Sequence, residues 1–260
     1  MSNNTSMVKK NSAGALSPIN LRADSGKGTE EIKSSDTNTP ILKILHQLSP
    51  ECNERSAKHV SGAKPGMIYS SSFGTPIDGA EGLDIIICHS QTRYPEWQER
   101  GDSALAPVGT HIEPPKDAVE ERNGRYRLSN GNYCEKTMYF YAIALVDGEM
   151  RKAVIPMRSS NLTPGRELNN LIQNLRATDD KGTFRPAAYS AIFNLKTAGK
   201  SWGDKNWHVY KPSKVRMLDL SDKNDLDIYN EAKKLQEEAF KGSTQPKYEK
   251  ADSSEEKDII

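Results

Sequence analysis

The run Lys136-Thr-Met-Tyr-Phe-Tyr-Ala-Ile-Ala-Leu-Val146 is apolar on both of its alternating faces, which is the pattern of a central strand rather than an edge strand. Asp147-Gly148 follows at once, and both residues tolerate the positive φ that a tight hairpin turn requires. Arg151-Lys-Ala-Val-Ile-Pro-Met157 then reads as the returning strand. A chain with this hairpin at its centre has to be organised around an antiparallel sheet.

The flanking segments agree with such a sheet. Gly62-Ala-Lys-Pro-Gly66 is a turn signal leading into Met67-Ile-Tyr-Ser-Ser, and Asp78-Gly79 with Glu81-Gly82 precedes Leu83-Asp-Ile-Ile-Ile-Cys88. Arg125-Tyr-Arg-Leu is a further strand, and residues 187–196 and 206–211 predict a last hairpin around Gly199 to Asp204. Three helices are expected. Pro40 to Leu48 places Ile41, Leu45 and Leu48 on one helix face, and Thr163-Pro164 opens a helix with a Leu168, Leu171, Ile172 and Leu175 stripe. Ser221 to Phe240 is a charged helix with Ile228, Ala232, Leu235 and Ala239 on one side.

Together these predict a mainly β fold with accessory helices, an OB-type β-barrel or a curved antiparallel sheet, with disordered termini. Residues 1–37 are rich in Ser, Asn, Thr, Lys and Gly and are expected to be a disordered segment. Residues 38–220 form the OB-like domain, 221–241 the charged helix and 242–260 a flexible acidic tail. Hydrophobic content of 35% fits solvated ends around an ordinary core. No run approaches the roughly 20 apolar residues that span a bilayer, and Met1-Ser-Asn-Asn-Thr-Ser-Met lacks the apolar stretch of a secretory signal. A soluble intracellular protein is expected. Cys52, Cys88 and Cys134 are odd in number and widely spaced, which argues against a disulfide framework. Cys88-His89, His111 and Cys134 lack zinc-ligand spacing, so no cofactor is expected.

Charge is segregated along the chain. From Arg122 to Arg216 there are 17 Lys and Arg against 7 Asp and Glu, in a protein whose net charge is +1. Beyond Arg216 there are 7 Lys against 12 acids. An anionic partner is implied for the basic stretch, and its interleaved rings suit unpaired bases.

Three groups of residues are candidates for contact with single-stranded DNA. Arg93, Tyr94, Trp97 and Arg100 lie in Arg93-Tyr-Pro-Glu-Trp-Gln-Glu-Arg100, after the strand ending at Cys88, where arginine would clamp the backbone and a ring would stack. Tyr139 and Tyr141 share one face of the central strand, beside Arg151, Lys152 and Arg158. Lys196, Lys200, Trp202, Lys205 and Trp207 cluster about the tip of the last hairpin, where a tryptophan among solvent-preferring residues needs a reason. Core packing explains each ring equally well, except Trp202, whose alternative is to fold back opposite Trp207.

Catalysis finds little support. Ala198-Gly-Lys-Ser201 lacks the upstream glycine of a phosphate loop, Asp147 is explained by its turn, and Glu96 and Glu99 lie three apart with no partner histidine in sequence. No nucleophile or metal-protease motif is present, and a binding protein rather than an enzyme is expected. The chain ends Asp258-Ile259-Ile260, a carboxylate with two apolar side chains that could enter a partner's basic-rimmed pocket.

Ile41-Leu-Lys-Ile-Leu-His-Gln-Leu-Ser-Pro-Glu51, Gly62-Ala-Lys-Pro-Gly66, Tyr94-Pro-Glu-Trp-Gln-Glu-Arg100 and the Trp202/Trp207 hairpin carry a resemblance. Over about residues 38–217 the chain resembles a group of tailed-bacteriophage proteins thought to bind single-stranded DNA through an OB-like core. The resemblance implies coating of single strands during phage DNA replication and recombination, in the cytoplasm of the infected host cell. It also implies recruitment of replication or recombination proteins through the tail. Bacterial-type binding proteins end in Pro-Phe, from which Asp258-Ile259-Ile260 departs. A phage structural or assembly protein with a basic β-rich domain is the competing expectation, and a DNA-acting nuclease a third.

Overall fold

The structure, a computed structural model, describes residues 39–99, 106–122 and 124–242, and beyond them Thr244, Pro246 and Tyr248. Residues 1–37, Arg100 and the Asp258-Ile259-Ile260 terminus therefore lie outside the described residues. In chain order the elements are β1 (Lys43–Ile44), β2 (Ile68–Tyr69), β3 (Leu83–Trp97), β4 (Gly109–His111), β5 (Val119–Arg122), β6 (Arg125–Arg127), β7 (Tyr133–Glu135), β8 (Thr137–Val146) and β9 (Glu149–Arg158). Then come α1 (Leu162–Gln173), β10 (Ala177–Asp179), β11 (Gly182–Phe184), β12 (Ala191–Trp202), β13 (Lys205–Met217) and α2 (Lys223–Phe240).

The expected central hairpin forms in full. β8 and β9 pair from Thr137↔Arg158 to Val146↔Glu149, and Asp147 and Gly148 take φ of 52° and 79° at the turn. β8 also pairs along β3, and β3 pairs with β12 through Phe193 to Leu195, giving the antiparallel order β13-β12-β3-β8-β9. This sheet does not close into a barrel: among the described strands β13 pairs only with β12, and β9 only with β8. It is an open antiparallel sheet with both faces covered.

One face carries Ile85, Ile87, Phe140, Ala142, Ile155, Phe193 and Leu195, under Leu162 and Leu168 of α1 and Leu42, Ile44 and Ile68 of the β1–β2 region. On the opposite face, α2 lays Ala232 and Leu235 on Ile86, Cys88, Ile143 and Ile192. Its stripe is the expected one, and Asp222 caps it by accepting from the backbone N–H groups of Asn224 (2.9 Å) and Asp225 (3.0 Å). α1 begins one residue before Thr163, so Pro164 falls in the first turn, where its missing N–H leaves no helical bond unmade.

The helix expected from Pro40 to Leu48 is overturned. Leu42 N–H donates to the Val154 carbonyl and Val154 N–H to the Pro40 carbonyl, each at 2.8 Å, while Leu45 N–H donates to Met67 O. The segment thus spends its backbone groups on β9 and the stretch before β2. A helix this short has little cooperative stability to set against those bonds. Leu42 and Ile44, one strand face apart by two, are buried, whereas Leu48 of the supposed stripe is exposed.

β3 is much longer than residues 83–88. Beyond Arg93 it leaves β8 and continues between β4 and β7, and β7-β6-β5 extends this second sheet. The carboxylate of Glu96 joins its parts, accepting from Asn132 Nδ2 (2.6 Å) and Asn130 Nδ2 (3.1 Å) and lying 2.8 Å from His111 Nε2. Those hydrogen bonds, Asn132's first, hold the Glu96 carboxyl below the usual carboxylate range. The partner histidine missing from the local sequence is therefore supplied by β4.

Candidate nucleic-acid interface

The last hairpin is longer than expected: β12 and β13 pair from Ala191↔Met217 to Trp202↔Lys205, and only Gly203 and Asp204 form the turn. Side chains two apart along a strand share a face, and so do directly opposed residues. The rows Lys196/Lys211, Ala198/Val209, Lys200/Trp207 and Trp202/Lys205 consequently lie on one side of the ribbon. The other side carries Thr197/Tyr210, Gly199/His208 and Ser201/Asn206, with no lysine or arginine. All four lysines of this outer hairpin are exposed, on a single face that also carries exposed Trp202, half-buried Trp207 and buried Val209.

The ribbon is fastened through its edges and its uncharged side. Thr197 Oγ1 donates to Gly66 O at 2.6 Å, Thr197 N–H donates to Gly79 O at 2.7 Å, and Tyr210 N–H donates to Asn161 Oδ1 at 2.8 Å. Gly66, at φ 91°, lies so close to the His208 imidazole that a Cβ there would approach it to 2.8 Å. The ribbon is thereby held as far as the Gly199/His208 row, beyond which the tip projects. Trp202 is 76% exposed, and Trp207, across from Lys200, is half-buried. Trp202 does not pair with Trp207: its direct neighbour is Lys205.

None of Lys196, Lys200, Lys205 and Lys211 has an ion-pair partner among the described residues. In water such a row of like charges repels itself, and an anion along it relieves that repulsion. Lys211 was not singled out in the sequence. The signal for it is the alternation Trp207, Val209, Lys211 within the strand expected over residues 206–211.

The other candidates are differently placed. Tyr139 (2% exposed) and Tyr141 do share a strand face, but that face lies beneath Ala239 of α2, with Val154 and Tyr248 packed alongside. They are not an open platform, because the apolar stripe of α2 requires this face for its own burial. Trp97 is also buried, at 5% exposed, with the Arg158 guanidinium 4.7 Å above its ring and Tyr248 edge-on at 5.4 Å. Tyr94 stacks edge-on against Tyr126 at 5.8 Å, and Arg93 Nη1 donates to the Thr92 carbonyl. The Arg93 to Trp97 stretch is the end of β3, with Trp97 buried. Arg151 is paired with Glu149 at 2.9 Å, Lys152 with Glu238 of α2 at 2.9 Å, and Arg158 reaches Glu135 at 3.7 Å. These cations are engaged internally, in contrast to the hairpin lysines.

Among the described residues there is no group of three or more His, Cys, Asp or Glu placed to hold a metal ion. Cys88 is packed under α2, and burial pushes its thiol up to about 12. A thiol held protonated in this way is a poor nucleophile and a poor ligand.

The sequence matches the model of the Pam3 phage gp34-like protein family over residues 8–245. The match spans most of the chain, and the chain belongs to this family of phage proteins. No curated protein and no solved structure matches it.

Proposed function

We propose that this phage protein binds single-stranded DNA, and that the lysine-bearing face of the β12–β13 hairpin is its contact surface. The observation that carries the reading is the coincidence on one face of four lysines that have no ion-pair partner among the described residues with a tryptophan left 76% exposed. The lysines neutralise phosphates, and Trp202 offers an open π-face, worth about 1–3 kcal/mol per stacked base. An indole used in this way selects unpaired bases, since bases inside a duplex are already stacked on one another. From Lys196 to Trp202 the face is about 20 Å long, room for at most about six nucleotides at the ~3.4 Å spacing of a stacked strand.

In this reading the protein acts by binding, without a catalytic step. It coats single strands made during phage DNA replication and recombination in the host cytoplasm, and the Asp258-Ile259-Ile260 terminus recruits replication or recombination proteins. The test is a titration of intrinsic tryptophan fluorescence with oligo(dT) at low salt, with a duplex of equal length as competitor. Quenching that fades as salt rises, and that the duplex competes away only weakly, is expected. Absence of quenching at low salt overturns the proposal, and preference for the duplex redirects it to a ribbon lying in a groove.

A further inference from the structure

β3 is accompanied along one edge by β8 and then β7, from Asp84 to Trp97. Its other edge is paired only at the ends, by β12 over Leu83 to Ile85 and by β4 over Tyr94 to Glu96. Among the described strands none pairs with that edge from Ile86 to Arg93. The Glu96 carbonyl accepts from Val108 N–H at 2.8 Å and so faces β4. Backbone groups of a strand change sides at each residue, and the shift in register along β3 lies earlier, between Ile87 and His89. The two-residue period therefore turns the N–H and C=O groups of Thr92 and Ser90 toward the same, unpaired side. Ser90 is exposed and Thr92 half-buried.

A cleft of about 390 Å³ opens at this edge, lined by His89 and Ser90 of β3, Ile172 and Gln173 at the end of α1, and Arg185 and Pro186 of the chain leading to β12. Its charge is of one sign. No Asp or Glu lines it, and none occurs in residues 88–94 or 185–190. Arg185 is exposed, donates through Nη1 to Gln173 Oε1 and has no ion-pair partner among the described residues. Arg176 donates to the Gln173 carbonyl at 2.9 Å, which brings a second guanidinium to the same end of α1. Arg93 Nη1 donates to the Thr92 carbonyl at 2.8 Å, and that carbonyl lies on the open edge.

We infer that this edge of β3 takes an extended acidic segment of a partner protein as an added strand, its carboxylates meeting Arg93 and Arg185 and an apolar side chain resting by Ile172 and Pro186. A peptide backbone fits the edge because it brings donors and acceptors in alternation, and its alternate side chains reach the flanking cleft. A phosphate backbone brings only acceptors and leaves the Ser90 carbonyl without a partner. The cations also decide between partners: an open edge is a template for any strand, and arginines beside it repel a second copy of the same edge while favouring a negatively charged one. This surface is separate from the hairpin, and the inference does not require that the hairpin bind DNA.

The experiment is fluorescence anisotropy of an end-blocked, fluorescein-labelled hexapeptide of alternating glutamate and valine, titrated with the full chain at low salt. The same peptide with lysine in place of glutamate is the control. Saturable binding of the glutamate peptide with a Kd below about 1 mM is expected, with the lysine peptide left free. Arg185→Glu should weaken binding at least about tenfold. Ser90→Pro should abolish it, since the lost N–H faces away from β8 and proline is tolerated at such an edge position. Residue-resolved hydrogen exchange reads the same contact without any variant: the Ser90 and Thr92 amides of the unmodified protein should slow when the glutamate peptide saturates it. No binding, equal binding of the two peptides, or unchanged exchange at Ser90 and Thr92 overturns the inference. Displacement of the peptide by oligo(dT) assigns the edge to DNA and overturns a protein partner. Quenching of tryptophan fluorescence by oligo(dT) is expected to be the same in Arg185→Glu, so failure at this edge leaves the hairpin reading standing.

Discussion

Lys200 stands directly opposite Trp207 across the β12–β13 hairpin, one row in from Trp202 and Lys205. Charge and ring thus alternate across the ribbon as well as along it. A strand of DNA following this face would meet a cation and an indole at each of the two outermost rows.

The salt dependence of binding should report how many of these lysines meet phosphate. On single strands each neutralised phosphate contributes about −0.7 to the slope of log K against log salt. Engagement of Lys196, Lys200, Lys205 and Lys211 predicts a slope of about −2.8, and Lys200→Ala with Lys205→Ala should reduce it to about −1.4. Fluorescence titrations at a series of salt concentrations measure both. A slope unchanged by the double substitution would place the phosphate path elsewhere.

Trp202 and Trp207 should separate affinity from stability. Trp202 is mostly in water, so Trp202→Ala should leave the melting temperature nearly unchanged and weaken oligo(dT) binding about 5- to 150-fold, the equivalent of about 1–3 kcal/mol. Trp202→Phe should recover much of the loss. Trp207 is half-buried and its indole N–H is enclosed, so Trp207→Ala should lower the melting temperature as well. Equal affinities for Trp202→Ala and the unmodified protein would remove stacking from the account.

The contrast between these two tryptophans also shows what was legible in the sequence. Alternation and turn chemistry located β8, β9 and the final hairpin, because a two-residue period and Asp-Gly are local signals. They could not show that Tyr139 and Tyr141 are roofed by α2, since burial depends on which distant helix lands on which face. The Pro40 to Leu48 segment failed for a related reason: its backbone partners, Val154 and Met67, are remote in sequence. Trp97 looked like part of a loop clamp because nothing nearby announces that β3 bridges two sheets. The lysine face of the hairpin could be read in part: Lys196, Lys200, Trp202 and Lys205 cluster in the sequence, but their shared face follows only from strand pairing that continues through the expected turn to Trp202↔Lys205.

Acid should loosen the junction between the hairpin and α2. Arg216, near the end of β13, binds the buried Asp225 carboxylate through both terminal nitrogens, with Nη2 to Oδ1 at 2.8 Å, and Asp219 N–H donates to Oδ2 at 2.7 Å. The Arg216 hydrogen bonds, more than any other contact, hold the Asp225 carboxyl below its ordinary range. A carboxyl lowered on folding stabilises the protein above its unfolded pKa, and that contribution is lost as pH falls through the folded value. Melting temperature should therefore decline below about pH 4, and Asp225→Asn should flatten part of that decline. Because Arg216 is half exposed, solvent screening limits the cost of Asp225→Asn at neutral pH to about 1–2 kcal/mol. An unaltered acid profile would show that other carboxylates govern it.

The fastening of the hairpin should be most sensitive at Gly79. Its carbonyl accepts from Thr197 N–H, and a Cβ built on it would lie 2.0 Å from Thr197 Oγ1 and 2.1 Å from Gly66 O. Those two atoms are themselves hydrogen-bonded at 2.6 Å, so neither can retreat without giving up the other. Gly79→Ala must push the 62–66 turn and β12 apart, at about 3 kcal/mol, the upper part of the usual range for overpacking. For a domain of this size that corresponds to a fall of about 6–12 °C in melting temperature. Thr197→Val, which removes the hydrogen bond but nearly keeps the shape, should cost only about 1 kcal/mol. DNA binding should weaken in Gly79→Ala even at temperatures where it is folded, because a ribbon no longer fixed at its base loses conformational freedom on binding that the anchored one has already given up. If Gly79→Ala melts and binds as the unmodified protein does, the hairpin is not held here, and its fastening through the edges and the uncharged side is not what presents the lysines.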